Sequence, residues 1–490
     1  MSEYKPTIGL EVHAELNTRT KMFCDCKNDP DPSALLGAGV KHPNVNVCPV
    51  CLGHPGALPV ADKQAVEAVV KVGLAIGAKI NAQSKFDRKN YFYPDLPKGY
   101  QISQYDAPIV QGGELMEVAI TRIHLEEDAG KLMHAPDGKS TLVDFNRAGV
   151  PLMELVTEPC IKSAEEAVRF MKELQLLLRY LGVSDADLER GQMRADANVS
   201  ISSDPEKLGT RAEIKNLNSF RAVADAITYE ITRQAGILEQ GEKVHQETRG
   251  WDEAKKKTVS QRSKEEAHDY RYFPEPDLSP FAPAEIFDLE DMRRHLPELP
   301  RAKQARFEKE FGLSEKQAGM LVETKELAEF FEEALSELAE RDKGQATGDK
   351  MKSEHLLFNY LTSDLVGLLN ESGSTIQDSR VNPEHLAHLV DLIADGKIMS
   401  RQAKDILEKM VTTGEDPEDI MKNEGLETVS DESELDAAVK IVLEENPAAV
   451  ADYKKGKTAS MQFLIGKAMT KLNGRGNPER LREILTNLFK

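Results

Sequence analysis

Acidic and histidine side chains alternate with apolar ones near the start of this 490-residue chain. In residues 8–16, strict alternation predicts a strand with one apolar face and a second face that carries Glu11, His13 and Glu15. Carboxylate oxygens and an imidazole are suitable ligands for a metal ion. For one strand alone, a solvated polar face is the simpler explanation.

The same arrangement recurs in three further predicted strands, which favours a metal site over a solvated face. These strands lie at 119–128, 193–201 and 211–215, and their polar faces carry Arg122, His124, Glu126, Arg194, Asp196, Asn198, Arg211, Glu213 and Lys215. The last two strands are spaced as an antiparallel hairpin, which predicts Asp196 and Glu213 on one surface. Carboxylates that hold Mg²⁺ beside arginine and lysine suit phosphoryl transfer, because the cations neutralise phosphate oxygens. The sequence contains no P-loop, serine-elbow, zincin or dinucleotide-binding signature, so a nucleotide must bind at another kind of site.

Four of the five cysteines fall in two close pairs, Cys24 with Cys26 and Cys48 with Cys51. Two pairs that flank a loop are typical of a structural zinc site with four thiolate ligands, where the metal folds a segment that lacks its own core. The sequence therefore predicts structural Zn²⁺ within residues 23–55. Four free thiols in a reducing compartment are the alternative.

The composition of the whole chain is that of a folded, soluble protein, with 40% apolar and 30% charged residues. No stretch approaches the roughly 18 apolar residues that a membrane-spanning helix needs. The N-terminus shows neither a secretory nor a transit signal, so we expect a cytoplasmic location.

Three domains are predicted from the change in pattern along the chain. Residues 1–295 alternate strand-like runs with loops and predict an α+β catalytic domain, largely an antiparallel sheet with helices. Within it, Ser163 and Gly182 mark the start and the stop of one clear helix. Residues 296–412 predict an all-α helical domain, and residues 413–490 a small helical tail domain.

The tail combines an acidic and a basic block within a chain of net charge −20. Residues 413–450 carry a net charge of −10, whereas residues 451–490 carry +6. The basic side chains that predict a polyanion-binding surface are Lys454, Lys455, Lys457, Lys467, Lys471, Arg475, Arg480 and Arg482. The alternative is that these bases only pair with the acidic block.

Two loop segments, 90–100 and 263–277, are unusually rich in aromatic residues and proline. Aromatic rings beside basic residues can stack a nucleobase or unpaired nucleotides. A rigid loop that packs its own rings has the same composition, so both interpretations remain open.

Several long motifs resemble those of GatB, the family of B subunits of tRNA-dependent amidotransferases. The resemblance covers essentially the whole chain in order, at residues 9–13, 90–104, 124–130, 144–155, 211–219, 262–277, 466–471 and 474–478. It implies an enzyme, a glutamine-dependent carbon–nitrogen ligase that works in a heterotrimer with the glutaminase (A) and the small (C) subunits. It also implies a cradle-like catalytic domain and a tail that binds tRNA.

The implied reaction uses ATP and Mg²⁺ to phosphorylate the side-chain carboxylate of misacylated Glu-tRNA(Gln) or Asp-tRNA(Asn). Ammonia from the glutaminase then displaces the phosphate to give Gln-tRNA(Gln) or Asn-tRNA(Asn). The alternative from another class is a tRNA-binding scaffold protein without catalytic chemistry.

The resemblance also implies roles for individual residues. The implied Mg²⁺ ligands are Glu11, His13 and Glu126, with Glu127, Glu154 and Glu213 as weaker candidates. The implied catalytic residues are Glu11, His13, Glu126, Asp196 and Lys215. The implied contacts to the nucleotide are Arg147, Arg194, Arg211 and Lys264. The cysteine quartet matches the zinc-bearing branch of the family, which implies that Zn²⁺ is structural.

Overall fold

The computed structural model describes residues 4–29, 42–135, 138–204, 206–263, 270–341, 347–428, 432–454, 457–472 and 474–489. For 262–263, 339–341, 347–352 and 432, the description covers the backbone alone. The chain forms two compact units, Met1–Pro300 and Arg301–Lys490. Among the described residues, no helix has the length and apolar character needed to cross a bilayer.

The first unit combines many strands with a few helices. Its strands are β1 Lys5–Glu15, β2 Thr20–Lys21, β3 Cys24–Lys27, β4 Lys79–Ile80, β5 Asp87–Asn90, β6 Tyr100–Ser103, β7 Val110–Gln111, β8 Glu114–Leu115, β9 Val118–Glu127, β10 Lys131–His134, β11 Thr141–Asp144, β12 Pro151–Thr157, β13 Met193–Ser202, β14 Ala212–Leu217, β15 Glu247–Asp252, β16 Lys257–Ser263 and β17 Phe273–Pro274. Its helices are α1 Lys63–Ala75, α2 Ala164–Tyr180, α3 Phe220–Glu239, α4 Pro283–Ile286 and α5 Leu289–Arg294.

One large sheet organises this unit, with strand order β16–β15–β14–β13–β1–β12–β9–β7–β4 and β8 paired to β9. Its pairs are antiparallel except for β14 with β15, which run parallel on either side of α3 in the sequence. The apolar residues that alternate along β1, from Ile8 to Ala14, are fully buried, and they share one hydrophobic core with residues of α1, α2 and α3. The opposite face of the sheet is therefore left for the polar side chains.

The helix predicted at Ser163 shows how local sequence determines an element. Ser163 caps α2 by accepting a hydrogen bond from the Glu166 backbone N–H, while the Glu166 carboxylate accepts one from the backbone N–H of Lys162. Gly182 follows the helix with φ +67°, a conformation that ends helices and favours glycine. The helix packs its apolar side against the sheet and supplies no polar group to the site.

The second unit is helical throughout the part that the structure describes. Its helices are α6 Pro300–Phe311, α7 Glu315–Val322, α8 Lys325–Arg341, α9 Thr347–Asn359, a π-helical turn Tyr360–Leu365, α10 Val366–Glu371, a 3₁₀ turn Ile376–Asp378, α11 Pro383–Ala394, α12 Ser400–Thr413, α13 Pro417–Glu424, α14 Glu432–Glu445, α15 Pro447–Lys454, α16 Ala459–Lys471 and α17 Pro478–Phe489. Residues between Phe307 and Met421 form one hydrophobic cluster, and residues between Leu435 and Leu485 form another. The predicted fold class, an α+β body followed by helices, is confirmed. The predicted domain boundaries at 295 and 412 stay a prediction.

Candidate functional site

The position of β1 at the centre of the sheet brings polar residues from four strands together. In the antiparallel registers, His13 lies opposite Glu154 of β12 and Arg194 of β13. Glu154 in turn lies opposite His124 of β9, and Glu11 lies opposite Asp196. Because directly opposed residues of antiparallel strands point to the same face, these side chains share one surface.

The first acidic group on this surface consists of His13, Glu126 and Glu154, whose ligand atoms lie within 4.8 Å of one another. The His13 Nε2 atom is 3.4 Å from a Glu154 oxygen and 3.6 Å from a Glu126 oxygen. His124 Nε2 approaches Glu154 at 3.2 Å, and Lys89 Nζ approaches Glu126 at 3.9 Å. Both carboxylates are almost fully buried, so the group concentrates charge where water is scarce.

The titration behaviour of this group follows from that crowding. Burial opposes the charged form of His13, but the carboxylates of Glu154 and Glu126 outweigh it and raise the pKa of the imidazole to about 9. Burial likewise opposes the charge of Glu154, yet His124 and His13 hold its pKa well below the usual range. A divalent cation that displaced the proton of His13 would find one imidazole and two carboxylates, a donor set that such a cation accepts.

The second acidic group consists of Glu11, Asp196 and Glu213, again with ligand atoms within 4.8 Å of one another. Lys215 Nζ lies 2.6 Å from Asp196 and 3.0 Å from Glu213. Asn198 donates to Glu11 at 2.9 Å. Burial, followed by the charge of Glu154, raises the pKa of Glu11, whereas Lys215 balances the charge of Asp196 and Glu213. A bound divalent cation would stabilise the charged form of Glu11.

A cleft of about 670 Å³ is lined by members of both acidic groups and by basic side chains. Its cations are Lys89, Arg122, Arg211 and Lys215. Burial opposes the charge of Lys89, but Glu126 and Glu154 outweigh it and raise its pKa, so this ammonium stays charged. Within the described residues, Arg122 Nε and His124 Nδ1 are buried without a hydrogen-bond partner. A ligand with acceptor oxygens would satisfy donors of this kind.

Tyrosines from both aromatic segments also line the cleft, together with one that follows β6, namely Tyr91, Tyr93, Tyr105, Tyr270 and Tyr272. The rings of Tyr105 and Tyr272 stack with centroids 4.3 Å apart and planes 10° apart. Arg88 holds β5 to the second segment through a bidentate pair with Glu275 at 2.7 and 2.8 Å. The rings therefore pack on one another and still face the cleft. A rigid loop that packs its own rings and a surface that stacks a nucleobase are thus compatible interpretations of these segments.

Several residues assigned by sequence lie outside the two acidic groups. Glu127 points to the opposite face of β9, where it contacts Lys98 Nζ at 2.6 Å and the Ile102 backbone N–H at 2.9 Å. Arg194 contacts Asp128 at 2.6 Å, and Arg147 donates to the carbonyl groups of Ala129 and Gly130. Glu15, the third acid of the β1 face, belongs to this arginine cluster, as its pKa shows: burial and Asp128 raise it to about 7.

Arg211 lines the cleft, so its contact to the nucleotide stays a prediction, whereas Lys264 lies outside the described residues. Sequence reasoning assigned no role to Lys89 or Thr248. Thr248 donates to Glu213 at 2.9 Å because β15 pairs in parallel with β14, a contact that strand spacing does not reveal. Lys89 directly precedes the first aromatic segment. Its alternation with Asp87 in β5 is the sequence signal that could have placed it on the polar face.

The four paired cysteines converge as predicted from their spacing. The sulfur atoms of Cys24, Cys26, Cys48 and Cys51 all lie within 4.8 Å of one another. The hydrogen bond from the Cys24 thiol lowers the pKa of Cys51 to about 5, and the nearby Lys21 charge acts in the same direction. The donor set fits a tetrahedral Zn²⁺ ion with four thiolates, which leaves no coordination position open for catalysis. Residues 30–41 of the loop between the pairs lie outside the described residues.

Comparison with known proteins identifies the class to which this arrangement belongs. Residues 6–287 match the GatB/GatE catalytic domain, and residues 344–489 match the GatB domain. The chain therefore belongs to the GatB/GatE family, as its motifs indicate, and it is part of an amidotransferase of the glutamine-dependent ligase class.

Its curated relatives are similar over their full length. A protein of Brevibacillus brevis is 46% identical over 498 residues, covering 100% of this chain and 99% of the relative. Proteins of Persephonella marina and Thermomicrobium roseum are 47% and 48% identical, covering at least 99% of this chain and 98% of each relative. All three are named as the B subunit of an aspartyl/glutamyl-tRNA(Asn/Gln) amidotransferase.

Proposed function

We propose that the cleft transfers the γ-phosphoryl group of ATP to the side-chain carboxylate of misacylated Glu-tRNA(Gln) or Asp-tRNA(Asn). The observation that carries the proposal is the pair of acidic groups in one cleft whose walls also supply four cations. Mg²⁺ ions held by these carboxylates would neutralise the phosphate charge and keep donor and acceptor in line. The names of the relatives support the tRNA substrates.

The proposed reaction needs only ATP, the aminoacyl carboxylate and ammonia. A carboxylate oxygen of the aminoacyl group attacks the γ-phosphorus, the bond to the β-phosphate oxygen breaks, and ADP leaves. Ammonia then attacks the carbonyl carbon of the acyl phosphate, loses a proton, and expels inorganic phosphate to leave an amide. Lys215 and Lys89 are placed to balance charge on the transferred group, since both are cations that line the cleft.

The partners and the tail complete the proposal. Ammonia would come from a glutaminase partner, with a small third protein in the complex. In the tail, Lys471 pairs with Glu445 and Arg480 with Glu483. Exposed Lys467 and Arg482 have no carboxylate within 4.0 Å among the described residues, which leaves them for tRNA phosphates. Lys455 lies outside the described residues.

The test compares two acids on the same face of one strand. Glu11→Gln removes a member of the second acidic group, and Glu15→Gln is the matched control outside both groups. With the partner proteins, misacylated tRNA and ammonium chloride, ADP formation should fall roughly 100-fold for Glu11→Gln and stay within about threefold for Glu15→Gln. Unchanged ADP formation in Glu11→Gln, or product without stoichiometric ADP, would instead support the scaffold alternative.

A further inference from the structure

Lys21 is a lysine whose side chain has no exposed surface, which is rare for an ammonium group. It lies at the end of β2, three positions before the first cysteine of the quartet. A buried charge is costly unless an opposite charge accompanies it, because the protein interior solvates ions poorly. The surroundings of Lys21 should therefore contain a negative charge.

The hydrogen-bond partners of Lys21 do not supply that charge. Its Nζ atom donates to the backbone carbonyl groups of Asn46 and Ala148, each at 2.8 Å. In the described part of the chain, no carboxylate oxygen lies within 4.0 Å of this atom. The two carbonyl groups fix the ammonium in place, but they are neutral.

The cysteine quartet is the neighbouring source of negative charge. The side chains of Lys21 and Cys51 both pack against Gly149, where an added Cβ would lie 3.6 Å from Lys21 Cδ and 3.5 Å from Cys51 Cβ. Zn²⁺ with four thiolate ligands carries two negative charges in excess, and Cys51 is itself buried. The quartet would thus place a dianionic centre beside a buried cation.

We propose that Lys21 is the built-in counter-charge of the zinc–tetrathiolate centre and that it ties the zinc loop to the segment before β12. The tie is the pair of carbonyl contacts, one in the loop that carries Cys48 and one beside Gly149. This inference rests on the zinc site, and it concerns a positioning residue rather than a metal ligand. The loss of Lys21 should therefore be more destabilising while the metal is bound than in its absence.

The experiment measures zinc affinity by chelator competition and unfolding in denaturant, with and without zinc, on the full-length chain. Lys21→Met removes the charge at similar volume, and zinc affinity should fall at least about tenfold, or 1.4 kcal/mol. Lys21→Met should be destabilised less in the zinc-free form than in the zinc-bound form, because the quartet carries less negative charge without the metal. Lys21→Arg, which keeps the charge, should recover most of the affinity.

Asn46→Ala is the matched control, because it removes two side-chain hydrogen bonds across the same loop and leaves the charge. It should destabilise the zinc-bound and zinc-free forms by similar amounts. Lys21→Met with unchanged zinc affinity, or with equal destabilisation of both forms, overturns the proposal. Lys21→Gln, which keeps an N–H donor, takes its place if Lys21→Met does not fold. An unmodified protein that binds no zinc overturns the zinc site and this role together, whereas tight zinc binding in all variants overturns this role alone.

Discussion

Adjacent residues Glu126 and Glu127 provide a sharp test of the proposed site, because the structure places them on opposite faces of β9. Glu126 belongs to the first acidic group, with His13 at 3.6 Å, Lys89 at 3.9 Å and a hydrogen bond of 3.2 Å from Ser103. Glu127 points away and pairs with Lys98 at 2.6 Å. Replacing each in turn with glutamine should separate catalysis from stability.

The expected magnitudes follow from these contacts. Glu127→Gln leaves Lys98, whose side chain is 12% exposed, without its carboxylate, although the amide oxygen can still accept from the Ile102 N–H. Removing one partner of a buried ion pair costs about 3 kcal/mol. Glu126→Gln loses only looser charge contacts and should cost about 1 kcal/mol or less. Its loss as a ligand should lower tRNA-dependent ADP formation roughly 100-fold.

Two assays on the same samples separate an effect on catalysis from an effect on stability. The single tryptophan, Trp251, is buried in the core of the first unit, so its fluorescence reports the unfolding of that unit in denaturant. ADP release with misacylated tRNA and ammonium chloride reports the chemistry, and glutaminase activity of the reconstituted complex serves as the control. The reasoning is refuted if Glu127→Gln loses activity as Glu126→Gln does while its Trp251 unfolding curve matches that of the parent.

Three further outcomes are expected. Thr248→Val removes the hydrogen bond that orients Glu213 and should lower ADP formation about tenfold with little change in KM for ATP, and a wild-type rate would exclude a positioning role. Cys48→Ser should abolish bound zinc by elemental analysis and lower the unfolding midpoint of the first unit, which a zinc-free wild-type protein would contradict. Lys467→Gln combined with Arg482→Gln should weaken tRNA binding. It should also reduce the slope of log affinity against log salt concentration by up to about two. Identical salt slopes would rule out phosphate contacts at these two residues.

The sequence predicted which polar side chains come together where the strand period and a short connection decide it. Alternation along β1 separates buried Ile8 from the polar residues, and the hairpin spacing places Asp196 and Glu213 together. Each of these inferences needs only the two-residue period of a strand and the short connection between antiparallel neighbours.

The remaining features depend on contacts that spacing does not encode. Glu127 lies on the opposite face of β9 from Glu126, as the two-residue period predicts, but its partner Lys98 comes from the loop before β6, which spacing does not reveal. Thr248 reaches Glu213 through the parallel pairing that follows α3. The sequence around Lys21 does not indicate that its side chain is buried. The burial results from contacts with the distant residues Asn46, Ala148 and Gly149.

The central place of β1 has a consequence for how the chain is made. The ladder partners of β1 among the described residues, β12 and β13, begin 136 or more positions after its end. At about 5–20 residues per second, the end of β13 emerges from the ribosome roughly 10–40 s after β1. Until β12 emerges the first strand has an apolar face and two open edges, and until β13 emerges it still has one open edge, which makes it the kind of segment that pairs with other chains. We therefore expect the yield of this protein in cells to depend on what shields β1 during translation as well as on the stability of the finished sheet.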